Sequence, residues 1–329
     1  MVTSRDVAHR AGVSQATVSR VLSAAPNITA ETRAKVHAAM ETLGYVPHAG
    51  AKAMKTRRTK TLGVVVDDIT NPFYPEVLDE LTHELDQAGN RVVLWNVRGG
   101  SHHDALKAIR EHAVDGVIFT TATEESVELQ TALEKDSPIV LINRVVAGLD
   151  CDQVSSDNIS GGAAVAEHLV RHGRTRAVFI GGTHGASTSR DRREGFLARM
   201  SELGHPLPAD QQFQANFSHD LSGLITADLL CREQPPDAIF CANDFMAFGA
   251  LDALRREGRS APEDCWVIGY DDVDMASWPA FDLTTVRQPI REIARAGAHM
   301  LLDRLAAPGL PPQRQTFPSQ LIVRGSTTG

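Results

Sequence analysis

The 329-residue sequence has no hydrophobic run long enough to cross a bilayer, which takes about 18 residues. Its apolar stretches, such as residues 62–66, have only the length of a β-strand. The opening segment, MVTSRDVAHRAG, contains two arginines and an aspartate where a secretory signal needs an apolar segment. We therefore expect a cytoplasmic protein without a membrane partner.

Cysteine is scarce, and its positions form no recognisable metal-binding or disulfide pattern. None of the four cysteines has CxxC spacing or a histidine at a metal-site interval. We therefore expect no metal site and no cofactor, and four small buried thiols in a reducing compartment. These residues are Cys151, Cys231, Cys241 and Cys265.

Sequence motifs of catalysis are absent as well. There is no G-x-S-x-G, no phosphate-binding P-loop, no G-x-G-x-x-G after a strand and no HExxH. The adjacent carboxylates Asp67–Asp68 and Asp271–Asp272 are compatible with acid–base chemistry, but no second feature supports it. The sequence thus predicts a binding protein and not an enzyme.

Charge is distributed unevenly along the chain, although the formal net charge is only −8. Residues 1–60 contain ten Lys and Arg against three acidic residues, whereas the remainder contains 23 basic and 38 acidic residues. A basic segment joined to an acidic one is typical of a module that binds a polyanion. An ordinary fluctuation in charge is the alternative, so the motifs must decide.

The N-terminal sixty residues show helical periodicity that predicts three short helices. Thr3 and Asp6 form a capping-box pattern at the first helix, and Gly12 is placed to end it. Ser14 can cap the second helix, and a third is expected over residues 29–44. The three-residue turn between the first two helices is the spacing of a helix-turn-helix.

The second of these helices has an exposed face whose residue types can read DNA. Glutamine and arginine bond adenine and guanine edges in pairs of hydrogen bonds, and an alanine methyl can contact the thymine methyl. The expected base-reading residues are Gln15, Ala16 and Arg20. Hydroxyl side chains bond phosphates more often than bases. The expected backbone contacts in this region are Ser14, Thr17, Ser19 and Ser23.

The run RDVAHRAGVSQATVSRVL, followed by ITAETRAKVHAAMETLGYVPH, resembles the DNA-binding head of the LacI/GalR family of transcription regulators. The resemblance implies a homodimer whose two heads enter successive major grooves of a pseudo-palindromic operator in double-stranded DNA. It also implies that Gln15, Ala16 and Arg20 are the base readers.

Residues 48–59 correspond to the hinge of that family, which becomes helical on DNA. The resemblance implies that Met54 is the minor-groove wedge, at a position where the family usually has leucine. Lys55 and Arg57 are expected to contact the DNA backbone. Gly50 disfavours a helix by about 1 kcal/mol relative to alanine, and a simple linker is the alternative.

From residue 60 onward, short apolar runs alternate with amphipathic stretches of helical length. One set includes LGVVVDD, RVVLWNV, DGVIFTT and PIVLIN, and a second set includes RAVFIGG, QFQAN, DAIFCAN and CWVIGYDD. Continuous apolar strands separated by helices indicate parallel sheets covered on both faces. The expected fold class is α/β, with an all-α helix-turn-helix head followed by two doubly wound lobes.

This larger region resembles the effector domain of the same family, which is similar to type I periplasmic binding proteins. The segments NPFY, SSDN, CANDFMAFGAL and IGYDD occur in the family's order. Effector binding and dimerisation are therefore expected of residues 60–329. The expected boundaries are 1–47 for the head, 48–59 for the hinge, about 60–157 with 287–317 for the N-lobe, and about 158–286 with 318–329 for the C-lobe.

Ligands of open parallel sheets bind beyond the C-terminal ends of the strands. Amide, carboxylate and guanidinium groups at those ends can form paired hydrogen bonds with a polar metabolite, and an aromatic ring can stack on it. The expected effector-binding residues are Asn71, Phe73, Asn143, Arg144, Arg192, Asn243, Asp244 and Asp271.

Several of these residues have a structural alternative. Asn71 and Asn243 can simply cap helices, and Phe73 can belong to the core. By contrast, Arg192 and Asp271 match the family's ligand contacts most directly.

The predicted function is a DNA-binding repressor whose operator affinity is controlled by a small polar metabolite, a sugar or a sugar-acid-like molecule, between the lobes. The pair Arg144 and Arg192 suggests an acidic ligand within that class. Family behaviour implies that the effector releases DNA, although the sequence leaves the direction open. A transporter's solute-binding protein is the competing interpretation, which the basic head opposes.

Overall fold

The computed structural model describes residues 2–23, 25–46, 58–98, 102–124, 126–133 and 137–328, without the side chains of residues 127 and 128. The chain divides into two compact units, Met1–Thr59 and Lys60–Gly329. We call the first the head and the second the body.

The head contains helices α1 (Ser4–Ala11), α2 (Gln15–Leu22) and α3 (Ala30–Leu43). The capping box predicted for α1 is confirmed, since the Thr3 hydroxyl accepts the Asp6 N–H and the Asp6 carboxylate accepts the Thr3 N–H. These bonds hold the pKa of Asp6 below its usual value. Helix α1 ends at Gly12, whose φ of 65° is left-handed and favours glycine.

Small and branched apolar side chains from all three helices form the core of the head. Ser14 caps α2 by accepting the Thr17 N–H at 3.1 Å, as predicted. Because only residues 12–14 separate α1 from α2, the predicted helix-turn-helix is confirmed. The buried side chains are Val7, Ala8, Val18, Val21, Val36 and Ala39.

The body alternates strands with helices. Its strands are β1 (Thr61–Val66), β2 (Arg91–Asn96), β3 (Gly116–Phe119), β4 (Ile139–Ile142), β5 (Asp152–Ser156), β6 (Ala177–Gly181), β7 (Gln212–Gln214), β8 (Ala238–Cys241), β9 (Trp266–Asp271), β10 (Thr284–Arg287), β11 (Arg314–Phe317) and β12 (Gln320–Ile322). Its α-helices are α4 (Phe73–Gln87), α5 (His103–Arg110), α6 (Val127–Leu133), α7 (Asn158–Arg171), α8 (Ser187–Glu202), α9 (His219–Leu230), α10 (Asp244–Arg256) and α11 (Ile290–Ala306). Short 3-10 turns span Ala209–Gln211, Asp274–Ser277 and Gly325–Thr327.

The strands form two six-stranded sheets, one in each lobe of the body. The first sheet has the order β11-β5-β4-β3-β1-β2 and is entirely parallel. The second has the order β12-β10-β9-β8-β6-β7 and is parallel except between β10 and β12. The predicted α/β class with two doubly wound lobes is confirmed.

The chain passes between the two lobes at three points. Strand β5 of the first sheet leads through α7 to β6 of the second. Strand β10 of the second leads to α11, which packs on β3, β4 and β5 of the first. Strand β11 of the first sheet is then followed by β12 of the second, so neither lobe is a continuous piece of chain.

The central strands are buried because both faces of each sheet are covered. No residue of β3 or β9 is exposed, as expected for continuous apolar strands. Strand β2, at the edge of the first sheet, is by contrast partly exposed. Its Val93 and Leu94 are 40% and 39% exposed, which is unusual for branched apolar side chains on a sheet.

Helices α7 and α8 approach each other so closely that glycine is needed at the contact. An added Cβ on Gly162 would collide with the carbonyl oxygen of Arg192. One on Gly195 would collide with the carbonyl oxygen of Ile159. This backbone contact fixes the position of α8, the helix that carries Arg192.

All four cysteines are free. Cys151, Cys241 and Cys265 are buried as expected, but the expectation was wrong for Cys231, which is exposed. Cys231 follows the last residue of α9, where a helix end meets solvent. In the part of the chain that the structure describes, no helix is both long and apolar enough to span a membrane.

Candidate functional site

A cleft lies where the C-terminal strand ends of the two lobes face each other. It holds a large chamber of about 600 Å³ and a small chamber of about 20 Å³. Both chambers are lined by Asn71, Tyr74 and Arg144 of the first lobe and by Phe217 of the second. The large chamber alone has the size of a typical small-molecule site.

Arg192 of α8 lines the small chamber and is only 2% exposed. Its Nη1 lies 3.4 Å from Asp271 Oδ1 and also donates to the Ala242 carbonyl oxygen at 2.5 Å. Its Nε donates to Asn158 Oδ1 at 2.8 Å. The guanidinium lies over the Tyr270 ring, 3.6 Å from the centroid. A buried cation held by so many partners has a fixed position and orientation.

Asp271 ends β9 in a strained conformation. Its φ of 124° and the φ of 58° at Asp272 lie in the region that favours glycine, at a cost of about 1–3 kcal/mol per residue. The Asp271 carboxylate also accepts a hydrogen bond from Gln288 Nε2 at 2.6 Å. Burial raises the pKa of Asp271 to about 7, and Arg192 opposes the rise. Such strain with a shifted carboxyl pKa is typical of a functional site.

Arg144, which follows β4, makes the corresponding interaction in the first lobe. Its Nη2 lies 3.2 Å from Asp67 Oδ2, and its Nη1 donates to the Thr121 carbonyl oxygen at 3.2 Å. The guanidinium also faces Phe217 at 5.3 Å from the ring centroid. Because Phe217 belongs to the second lobe, this cation–π contact spans the cleft.

Two polar atoms of the small chamber have no partner. Asn143 Oδ1 and Arg144 Nε are buried without a hydrogen bond among the described residues. Each such atom costs about 1–3 kcal/mol when it stays unpaired. An acceptor and a donor on neighbouring residues match a hydroxyl group, which can both donate and accept.

Asn243 has the capping role that the sequence left open, whereas Asn71 lies one residue before the N-cap position of α4. Asn71 Oδ1 accepts the Phe73 N–H at 3.1 Å, and α4 begins at Phe73 with Pro72 as its N-cap residue. Asn243 Oδ1 accepts the Met246 N–H at 3.0 Å and caps α10. Both asparagines also line the small chamber, as does Phe73, which is buried in the core.

Asp244 lies away from the cleft and lines neither chamber. Its carboxylate accepts from Thr285 Oγ1 at 2.5 Å and from the Val273 N–H at 3.0 Å. Burial raises the pKa of Asp244 to about 8. This residue therefore ties α10 to β10 in the wall of the second lobe and does not occupy the ligand position expected from the sequence.

In the head, the predicted base-reading residues Gln15, Ala16 and Arg20 lie on the exposed face of α2, opposite the buried Val18 and Val21. Of the hydroxyl residues expected at phosphates, Ser14 and Ser23 are exposed, and Thr17 and Ser19 are half-buried. The Ser23 hydroxyl donates to the Arg20 carbonyl oxygen at 3.1 Å.

Comparison with known proteins decides what these two parts are. Residues 3–48 match the bacterial regulatory proteins of the lacI family, and residues 166–327 match the periplasmic binding protein-like domain. The chain is 32% identical to the ribose operon repressor of Escherichia coli (strain K12), over 99% of this chain and 100% of that repressor. The chain belongs to the LacI family.

Further relatives agree with this LacI-family membership. The chain is 31% identical to the transcriptional repressor PurR of Vibrio parahaemolyticus, over 93% of this chain and 92% of that protein. It superimposes on a lac repressor dimer bound to operator and an anti-inducer with a TM-score of 0.86 and 26% identity, covering 100% of this chain and 99% of that one. The predicted DNA-binding regulator under small-molecule control is thereby confirmed.

Sequence reasoning missed three residues that line the small chamber, namely Tyr74, Thr188 and Phe217. Phe217 has a φ of 58°, and its ring fills the space that a Cβ on Gly182 would need. It is an aromatic residue in the loop after β7, so the signal that singled out Phe73, an aromatic residue beyond a strand end, could have identified it.

The hinge predictions for this LacI-family chain fall outside the described residues. Met54, Lys55 and Arg57 lie within residues 47–57, to which the structure assigns no placement. The minor-groove wedge and the two backbone contacts therefore stay predictions.

Proposed function

We propose that this LacI-family protein is a repressor that binds a pseudo-palindromic operator as a homodimer and responds to a neutral, polyhydroxylated metabolite in the cleft. One observation carries the effector class. Among the described residues, the small chamber presents unpartnered polar atoms of Asn143 and Arg144, yet its charged groups already have partners.

The charges of the cleft argue for a neutral ligand. Each described guanidinium that lines either chamber lies beside its own carboxylate, so none of these guanidinium groups needs an anionic ligand to neutralise it. An acidic ligand would have to displace those carboxylates, which makes a neutral sugar a better fit than the sugar acid suggested by two arginines alone. The pairs and their N–O distances are Arg98–Asp68 at 3.8 Å, Arg144–Asp67 at 3.2 Å and Arg192–Asp271 at 3.4 Å.

The remaining lining groups suit a sugar ring. Phe73, Tyr74 and Phe217 provide aromatic surface, and Asn71 and Asn143 provide amides. Hydroxyl groups can satisfy the amides, while the apolar face of a ring can stack on the aromatic side chains. The similarity to a ribose operon repressor points to the same class of molecule.

For the DNA-bound state, we propose that α2 enters the major groove with Gln15, Ala16 and Arg20 at base edges. Its exposed face and buried opposite face support this orientation. The proposed contacts to the DNA backbone are Ser14, Thr17, Ser19, Ser23, Lys55 and Arg57. Met54 is the proposed minor-groove wedge, and residues 48–59 are the proposed hinge between head and effector domain.

The homodimer is supported by the edge strand β2. Its exposed Val93 and Leu94 are apolar surface of the kind that a second copy of the chain covers. The similar lac repressor structure is a dimer on operator.

We infer that the effector acts through the relative arrangement of the lobes. The Val145 N–H of the first lobe donates to Ser187 Oγ of the second at 2.9 Å, and Arg190 of the second lobe pairs with Glu124 of the first. A ligand that favours one lobe arrangement shifts the DNA-binding equilibrium by its differential affinity, typically about 1–3 kcal/mol.

We also propose that the protein is not an enzyme and acts in the cytoplasm. The cleft carboxylates of Asp67 and Asp271 each lie beside a guanidinium, at 3.2 Å from Arg144 and 3.4 Å from Arg192, so both already have a partner, whereas a catalytic acid or base must reach a proton of the substrate. Among the described residues, no group of His, Cys, Asp and Glu could hold a metal ion.

The test is a thermal-unfolding screen of the full-length protein against neutral pentoses and hexoses, the matching aldonic acids, and purine bases. A neutral sugar is expected to raise the Tm and to change affinity for an operator obtained by in vitro selection. Stabilisation by an aldonic acid or a purine alone would contradict the effector class. Failure to bind any duplex in a salt-sensitive manner would contradict the regulator.

A pair of variants locates the site. Arg192→Lys keeps the positive charge but loses the planar fork, so effector affinity is expected to fall by about tenfold or more. Operator affinity should be retained, because the head is unchanged. The matched control is Arg193→Lys, since Arg193 is exposed on the same helix and bonds Gln212 instead.

A further inference from the structure

Ser4 and Gln15 are joined by a hydrogen bond that links the first two helices of the head. Gln15 Nε2 donates to Ser4 Oγ at 2.9 Å, although the residues are eleven positions apart. Ser4 is the first residue of α1, and Gln15 is the first residue of α2. The bond therefore connects the N-terminal ends of the two helices of the helix-turn-helix.

The backbone is held in place next to both residues of this hydrogen bond. Ser4 directly follows Thr3, which is locked to Asp6 by the reciprocal capping box. Gln15 directly follows Ser14, whose hydroxyl accepts the Thr17 N–H at 3.1 Å. Because the caps fix the Cα positions of both residues, the Gln15–Ser4 hydrogen bond acts on the Gln15 side chain and restrains its torsion angles.

A restrained amide matters for base reading. A glutamine that reads adenine must present Oε1 and one Nε2 hydrogen in a common plane to the base edge. Nε2 carries two hydrogens, so the bond to Ser4 leaves one of them and Oε1 available. A free glutamine on an exposed helix would lose side-chain freedom on binding, which weakens association by about 0.5–1.5 kcal/mol, or twofold to tenfold.

We propose that Ser4 is a positioning residue that orients the Gln15 carboxamide for one operator base pair. This inference rests on the proposed DNA-binding role of α2. Ser4 itself reads no base; its hydroxyl acts through Gln15, and part of the sequence specificity of the second helix is thus encoded at the start of the first.

The experiment compares full-length wild type with Ser4→Ala, Ser4→Thr, Gln15→Ala and the double variant Ser4→Ala/Gln15→Ala. The operator is first selected by the wild type from random duplexes. Fluorescence anisotropy then gives Kd for that operator, for every single-base-pair change in it, and for an unrelated duplex. Thermal unfolding checks that the head stays folded in each variant.

We expect Gln15→Ala to lose discrimination at one base pair in each half-site. Ser4→Ala should lose twofold to tenfold discrimination at that same base pair, with unchanged affinity for the unrelated duplex. Ser4→Thr, which keeps the hydroxyl, should discriminate at that base pair like the wild type. The double variant should match Gln15→Ala, because Ser4 acts only through Gln15.

A loss that is equal at every base pair would show that Ser4 is a phosphate contact and would overturn the inference. So would a Ser4→Ala variant that discriminates like wild type, or a Gln15→Ala variant without a position-specific effect. If the wild type selects no sequence at all, the proposed DNA-binding role fails. If it selects an operator but Ser4→Ala behaves like wild type, only the inference about Ser4 fails.

Discussion

At the scale of single residues, Arg192 holds the second lobe's half of the cleft together. A buried guanidinium is costly unless its charge and its donors are all engaged. The partners of Arg192 come from three separate segments, through Asn158 of α7, Ala242 after β8 and Asp271 of β9. Its burial therefore fixes the ends of neighbouring elements around one point, where a ligand group can be recognised without rearrangement.

His168 is a second buried titratable side chain, and it lines neither chamber of the cleft. Its ring stacks on Trp266 with centroids 5.3 Å apart, and Nε2 lies 3.0 Å from Thr327 Oγ1. Burial lowers the pKa of His168 to about 4, and the neighbouring His172 and Arg171 add to the effect.

This pKa predicts acid sensitivity. Between pH 6.5 and 4 the unfolded chain binds a proton at His168 that the folded chain does not, so stability is lost as pH falls through that window. The loss from this residue is at most about 3 kcal/mol. His168→Gln, whose amide can still bond Thr327, should flatten the fall in urea midpoint over this range. Identical pH profiles for variant and wild type would exclude this role.

Which polar residues face a ligand could be predicted only in part from the sequence. Arg144, Arg192 and Asp271 follow from the rule that ligands lie beyond strand ends. Asn243 and Asp244 follow the same strand, but successive residues at a helix start point in different directions. Asn243 therefore lines the small chamber, whereas Asp244 bonds Thr285 within the second lobe. Sequence periodicity does not resolve such a rotation at a helix start, because both residues suit a cap.

At the scale of elements, the glycine contact between α7 and α8 controls the site. Helices normally lie about 8–10 Å apart, and these two need glycine at Gly162 and Gly195 to come as close as they do. Since Arg192 belongs to α8 and its partner Asn158 to α7, their separation determines whether the pair can bond.

We expect Gly195→Ala to lower the free energy of unfolding by about 1–3 kcal/mol through overpacking. Alanine's better helix propensity, about 1 kcal/mol, offsets only part of this. Effector affinity should also fall as α8 is displaced. Urea denaturation and effector titration measure both quantities.

Gly309→Ala is the matched control, because an added Cβ there meets open space. It should change stability by no more than about 0.5 kcal/mol. Equal effects of the two variants would contradict the proposed role of the helix contact.

The helices of the head were more predictable than the start of α4. In the head, short-range caps at Thr3 and Ser14 determine the helix starts, so the local sequence suffices. Asn71-Pro72 resembles an N-cap with proline at the first helical position, but the helix begins one residue later, at Phe73. Burial of Phe73 in the core outweighs the local preference there.

Over the whole molecule, the two predicted activities, DNA binding and effector binding, belong to parts of the chain with opposite net charge. The first sixty residues are strongly basic and the remainder is acidic. DNA binding by the head should release counterions, whereas a neutral effector in the body should release none.

Raising salt from about 50 to 200 mM should therefore lower operator affinity by about a thousandfold or more. Effector affinity, measured by calorimetry at the same salt concentrations, should change by less than about twofold, since no net charge is transferred. Parallel weakening of both would indicate an anionic effector, and salt-independent DNA binding would contradict groove recognition by the head.

The three passages of the chain between the lobes also govern how the body responds to cutting. A protease nick in any one passage leaves the two lobes joined by the other two passages. The two fragments have no covalent bond to each other, but they pair within the same sheets, β11 with β5 and β12 with β10, so they should remain associated and co-elute as an intact particle. The edge strands β11 and β12 are separated by only two residues yet complete different sheets. A single truncation before Arg314 would therefore strip the outer strand from both lobes at once.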